Sequence, residues 1–210
     1  MDLVVENISN ANKELVDLFY SEIEKLDKRI KKIIKEKSFK FILANKYSDV
    51  RTDFEEPARY TEDYSSAEKR DKIIRGLSDS NINSICVFSN TTTKKTMMCI
   101  LYHEIGHRLD FYYDYDNPCL SMNQEFIDAY TKDFLVNWDK ISQDKRFRLV
   151  HYVQDSTPEK ISKTAIIETL AMSFAKYNGY DDDIDMMGLY FPTCTEVCGK
   201  LVEEFLNSIE

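Results

Sequence analysis

The sequence predicts an α+β fold: a small mixed sheet beside an apolar helix, with the remaining helices packed around it. Three observations carry this expectation. Two short runs, "FKFILANKY" at 39–47 and "NSICVFSN" at 83–90, are aromatic and β-branched and end in polar residues, as strands do. Longer stretches place apolar residues three and four apart, the spacing of one helix face. Five glycines and four prolines in 210 residues leave little material for long linkers, so a single domain over 1–210 is expected. Within it, 1–38 reads as an N-terminal helix, 39–95 as strands and loops, and 96–210 as a helical part.

The elements follow in order. Leu15, Leu18, Phe19, Ile23, Leu26, Ile30, Ile33 and Ile34 form one stripe, predicting a single amphipathic helix over 11–37 with Asn10 as its N-cap. After the first strand, 48–80 is polar and predicts a loop, with a short helix near 66–76. The second strand leads through "TTTKK" into a helix from Thr96 to about Tyr113, capped by Thr93 or Thr96 and broken by Asn117 and Pro118. Helices are predicted at 123–141, 158–177 and 191–209, with a short one within 144–153. Ser156 or Thr157 before Pro158 marks the expected start of the second, and Pro192 that of the last. "NGYDDDID" between them reads as an exposed acidic turn.

Composition narrows the function classes. A net charge of −9 disfavours nucleic acid, whose phosphates need clustered Lys and Arg. The basic run "KRIKKIIKEK" at 28–37 is interrupted by apolar residues and reads as the solvated face of a helix. No stretch of 18 apolar residues predicts a membrane span, and the acidic, short apolar start is unlike a signal peptide. The expected location is the cytoplasm, or outside the cell by a route needing no such signal. Cys86, Cys99, Cys119, Cys194 and Cys198 are odd in number and irregular in spacing, so reduced thiols are expected rather than a disulfide framework.

The chemistry concentrates at "YHEIGHRL", 102–109. The chain has three histidines, and two of them stand here. On a helix, i and i+4 share a face, so His103 and His107 can offer two imidazole nitrogens to one ion. Glu104 is rotated about 100° from His103, beside the ion rather than on it, where it can take a proton from a bound water. Zinc suits imidazole and brings its water to a pKa of about 7. Gly106 costs the helix roughly 1 kcal/mol relative to alanine, which points to close approach of another segment. The second strand, "SICVFSN", is the expected edge on which an extended substrate could pair. For the third ligand, two residues stand open. His151 is the remaining histidine; Glu168 is the lone charge in the apolar "AIIETLAMSF" and is the preferred ligand, because an unpaired carboxylate on a buried face is costly.

"YHEIGHRLD", with "ETLAMSF" some sixty residues later and "FPTCTEVCGKLVEEF" after it, resembles the anthrax lethal-factor-like zinc metallopeptidases, which include the Pro-Pro endopeptidases. The resemblance covers about 80–210, on His103, Glu104, His107, Asp110, Glu168, Ala171 and Phe174. It implies a zincin-like domain in which His103, His107 and Glu168 bind Zn²⁺ and Glu104 is the general base. It implies that Asp110 orients a ligand histidine through its free ring nitrogen. Two positions depart from the family pattern. Met172 stands where a second glutamate is usual. Ile161 stands seven residues before Glu168, where a tyrosine would hold the oxyanion, leaving Tyr152 as the nearest upstream tyrosine. The implied function is a zinc-dependent endopeptidase acting on a peptide or protein, in the class of bacterial toxins and effectors. The alternatives are a weakened zinc-containing binding protein and a cytosolic regulatory metallopeptidase acting on a repressor.

Overall fold

A computed structural model describes residues 3–51, 67–79, 82–90, 92–114, 116–144, 151–153, 155–181 and 185–209. Among them are eight α-helices and one four-stranded sheet, an α+β architecture. No helix of the described residues is long and apolar enough to cross a membrane. The chain divides into two compact units, Met1–Glu104 and Ile105–Glu210, the division falling inside one helix.

The first unit is built on the sheet. Strands β1 (Val4–Asn7), β2 (Lys40–Ala44), β3 (Gly76–Asp79) and β4 (Ser84–Phe88) lie in the order β1-β2-β4-β3. β1 and β4 run parallel to β2, and β3 runs antiparallel to β4. The runs at 39–47 and 83–90 thus each contain a strand, and both strands are central, though Tyr47 already belongs to a 3₁₀ turn. Every residue of β4 is buried, as is β2 from Phe41 to Ala44. Strands buried on both faces read as continuous apolar runs, which is why these two were legible. β1 and β3 were not expected. Each has four residues, lies at an edge, and carries polar side chains.

Their presence overturns the expectation that "SICVFSN" is an edge. β2 occupies one side of β4 and β3 the other, so its backbone groups are committed to both neighbours. The edge on that side of the sheet is β3.

The predicted helix over 11–37 is two helices, α1 (Lys13–Lys25) and α2 (Lys28–Glu36). The apolar stripe continues across the joint: Leu15, Phe19, Ile23, Leu26, Ile30, Ile33 and Ile34 are all buried. The break lies in the backbone, where Leu26 and Asp27 have ψ of 145° and 138°. Asp27 caps the new helix by accepting from Arg29 N at 2.7 Å. The first cap is Asn12, which accepts from Leu15 N at 3.0 Å, rather than Asn10. Asn10 instead donates its backbone N–H to Asn45 Oδ1. Helix α3 (Ala67–Ile73) falls in the polar stretch as expected; 52–66 lie outside the described residues.

Helix α4 (Lys94–Asp110) starts one residue after Thr93, whose Oγ1 accepts from Thr96 N while Thr96 Oγ1 accepts from Thr93 N. It ends at Asp110, seven residues before Asn117. The second unit adds α5 (Gln124–Gln143), α6 (Lys163–Tyr177), α7 (Met186–Tyr190) and α8 (Pro192–Ser208). The expected helix start at 158 is wrong. Thr157 and Lys160 exchange two backbone hydrogen bonds, of 2.7 and 3.0 Å, which fold 157–160 into a tight turn. Ser156 Oγ then accepts from Ser162 N, and the helix opens at Lys163. Of the short helix expected within 144–153, 145–150 lie outside the described residues and His151–Val153 form one 3₁₀ turn. The acidic turn's residues 182–184 are also outside them.

The second unit's core is aromatic. Tyr130 on α5 stacks against Phe134 at 5.6 Å and Phe191 at 5.5 Å. Its hydroxyl donates to Tyr152 O at 2.8 Å, tying the 151–153 turn to α5. Buried Asp133 caps α8 from outside: Oδ2 accepts from Thr193 N at 2.7 Å and Cys194 N at 3.1 Å. Pro192 at the first helical position has no N–H to satisfy.

Candidate metal centre

α4 and α6 supply the site. Along α6 every residue from Ala165 to Ala175 is buried except Glu168, which is partly exposed. On this stretch Glu168 is therefore the residue most open to solvent or an ion. α6 approaches α4 at Gly106, where a Cβ would stand 2.9 Å from Ala171 Cα and 3.2 Å from Ala171 O. A side chain there would meet backbone, so glycine is what allows the two helices to come this close. The helix-weakening Gly106 thus marks a close crossing, as its position in the sequence implied.

One ligand atom each from His103, His107 and Glu168 lie within 4.8 Å of one another. His107 Nε2 is 3.5 Å from Glu168 Oε2. Two donors on a tetrahedral ion with bonds of about 2.0–2.2 Å stand roughly 3.3–3.6 Å apart, so this spacing fits zinc. The donor set, two imidazoles and one carboxylate, is one that could hold a metal ion such as zinc and leave a fourth position open. All three side chains are partly buried, which shields an ion while leaving access to it. Of the two open choices for a third ligand, Glu168 is the one this group contains; the side chain of His151 lies outside the described residues.

Glu104 is buried, at 8% exposure. Its neighbour across the first unit is Gly76 of β3, where a Cβ would stand 2.7 Å from Glu104 Oε1 and 2.9 Å from Glu104 Cγ. The edge strand therefore passes close to the carboxylate, and a Cβ at Gly76 would have to displace the Glu104 and Ile100 side chains. The charge of Glu104 also reaches Cys86 on β4: burial first, and this charge second, push that thiol up to about 12. Gly76 was missed in the sequence because a four-residue edge strand with one apolar residue gives no period-2 signal.

Asp110 is fully buried at the end of α4. Its Oδ1 accepts from Leu120 N and Ser121 N, both at 2.8 Å, which folds the chain back after the helix. Its Oδ2 is buried with no hydrogen-bond partner among the described residues. Burial raises its pKa; hydrogen bonds from Ser121 and Leu120 and the charge of His107 act in the other direction. Tyr152 lies in the 3₁₀ turn His151–Val153, its carbonyl bound by Tyr130. Met172, where the resemblance anticipates a glutamate, is buried in α6. The five cysteines are free thiols; Cys194 and Cys198 are buried on α8.

In comparisons with known proteins, the chain matches no protein-family model and no curated protein.

Proposed function

We propose that this chain is a zinc-dependent endopeptidase. The observation that carries the reading is the gathering of His103, His107 and Glu168 around one point, from positions 61 residues apart in the case of His107 and Glu168. Chance helix packing has no reason to bring the one partly exposed carboxylate of α6 to 3.5 Å from a histidine of an HExxH pattern.

Zinc, when bound, would acidify a water to a pKa of about 7 and polarise a carbonyl oxygen. His103 and His107 would hold the ion from one helix face, and Glu168 would close it from α6. Glu104 would accept the proton of the attacking water and pass it to the leaving amine. Its burial beneath Gly76 keeps its carboxylate from swinging into solvent. The outer edge of β3 offers backbone groups on which an extended peptide could pair beside Glu104. The substrate class in this reading is accordingly an extended peptide or protein segment, and the role the resemblance suggests is that of a bacterial toxin or effector.

Met172 favours a second reading, a zinc-containing binding protein with weakened catalysis, because an apolar side chain stands where the family it resembles usually carries a carboxylate. One experiment separates the two. Bound zinc is measured by mass spectrometry, and a peptide library is digested with the wild type and Glu104→Ala. The enzyme reading expects one zinc per chain and cleavage that Glu104→Ala abolishes while retaining zinc. Zinc without cleavage selects the binding protein, and no zinc rejects both. Glu168→Ala is expected to empty the site and His151→Ala to leave it filled.

A further inference from the structure

The basic run at 28–37 lines a groove. Lys28, Lys31, Lys32 and Lys35 are spaced three and four apart on α2, so they share one face of the helix, opposite buried Ile30, Ile33 and Ile34. That face borders a groove of about 640 Å³ in the first unit. Leu3 and Val5 of the β1 segment and Ile23 of α1 give it an apolar floor. Glu24 is its one acidic lining residue among the described residues, and its backbone carbonyl accepts from Lys31 Nζ. Four lysines converge here in a chain whose net charge is −9. Lys28 and Lys35 make no ion pair among the described residues, although carboxylates outnumber basic groups in the chain as a whole.

The groove also runs along an open sheet edge. Among the described residues, β1 has β2 on one side and no strand on the other. Ile8 N donates to Leu43 O, which fixes the alternation of the parallel ladder: Val4, Glu6 and Ile8 address β2. The backbone groups of Val5 and Asn7 therefore turn to the open edge, in the same stretch whose Val5 side chain floors the groove. An added strand at this edge would point alternate side chains toward the lysines of α2.

We propose that this groove binds an extended acidic peptide of another protein, which adds to β1 as a fifth strand and sets alternate carboxylates against Lys28, Lys31, Lys32 and Lys35. Backbone pairing supplies the register, the apolar floor supplies contact area, and the lysines select acidic sequences. The site is independent of the zinc reading, since it shares no residue with that centre.

The test uses the full chain and a fluorescein-labelled peptide of alternating glutamate and valine, followed by anisotropy at 50 and 300 mM salt. Three controls accompany it: the same peptide N-methylated at alternate residues, a poly-glutamate of equal charge, and phosphatidylserine vesicles. Saturable binding of the alternating peptide that weakens at high salt supports the proposal. It should weaken at least tenfold for the N-methylated peptide and for the Lys28→Glu/Lys35→Glu double variant, whose fold is checked by circular dichroism. No binding overturns it. Equal binding of the N-methylated peptide or of poly-glutamate overturns it as well, because charge alone would then suffice. Vesicle binding that the peptide fails to displace assigns the lysines to a membrane surface instead.

Discussion

Replacing Gly106 by alanine probes the packing that brings Glu168 to the histidines. The new Cβ would meet Ala171 Cα at 2.9 Å, Ala171 O at 3.2 Å and Phe174 Cβ at 3.2 Å. Two of these atoms are backbone, so no rotamer change relieves the contact. Restoring ordinary carbon–carbon separation requires α4 and α6 to part by about 0.5 Å at the crossing. Two effects oppose each other in stability. Alanine favours the helix by about 1 kcal/mol over glycine, and overpacking costs about 1–3 kcal/mol, so the net loss is between zero and about 2 kcal/mol. The effect on zinc is sharper. Gly106 adjoins His107, and Ala171 lies within one turn of Glu168, so the parting displaces one ligand from the other. Metal bonds tolerate only about 0.2 Å of error, and zinc affinity should fall at least about tenfold. Competition with a chelating dye reads the affinity, and a thermal melt in chelator reads the stability. Wild-type zinc affinity in Gly106→Ala, or a melt raised by the full propensity gain, would refute the claim that this close crossing builds the site.

Other outcomes follow from the same structure. Gly76→Ala sets a methyl 2.7 Å from Glu104 Oε1 and 2.5 Å from Ile100 Cγ2; peptide cleavage should fall about tenfold or more with zinc affinity unchanged, as separate titration and rate measurements will show. Asp133→Ala removes two charge-assisted hydrogen bonds from the start of α8; urea unfolding should register a loss of about 2–3 kcal/mol, with Asp133→Asn recovering part of it. A hundredfold excess of zinc over its dissociation constant should stabilise the chain by about 2.7 kcal/mol, and chelator should reverse the gain. Burial pushes the thiol of Cys86 up to about 12 and that of Cys119 up to about 11, from 9.0. Both folded values lie above the unfolded one, so their contribution to stability is complete below pH 9 and is lost as pH rises toward 11–12. The urea midpoint should therefore drop between pH 8 and 10.5, and iodoacetamide at pH 8 should label Cys86 only after unfolding.

How legible these features were depends on how local their causes are. The i, i+4 pair His103 and His107 was readable because a helix puts them on one face whatever surrounds it. β2 and β4 were readable because burial on both faces demands unbroken apolar runs, and α8 because Pro192 suits only a first turn. The joint at Leu26–Asp27 was hidden because the apolar stripe crosses it without a change of phase, leaving Asp27 as the only sign. β1 and β3 were hidden because an edge strand needs one partner and little burial, so four polar-leaning residues suffice.

By itself, then, the sequence determined which residue types can hold a metal, the helix that aligns two of them, the apolar stripes of the core and the two apolar strands β2 and β4. These follow from local geometry and from burial. The tertiary structure alone decided the rest. It set the distance: Glu168, which the sequence already preferred to His151, stands 3.5 Å from His107 across a crossing that Gly106 permits. It set β3 rather than β4 at the edge over Glu104, and it turned a solvated lysine face into the wall of a groove along β1. Each of these depends on which surfaces pack together from distant parts of the chain, and the periodicity of one segment carries no information about its partner.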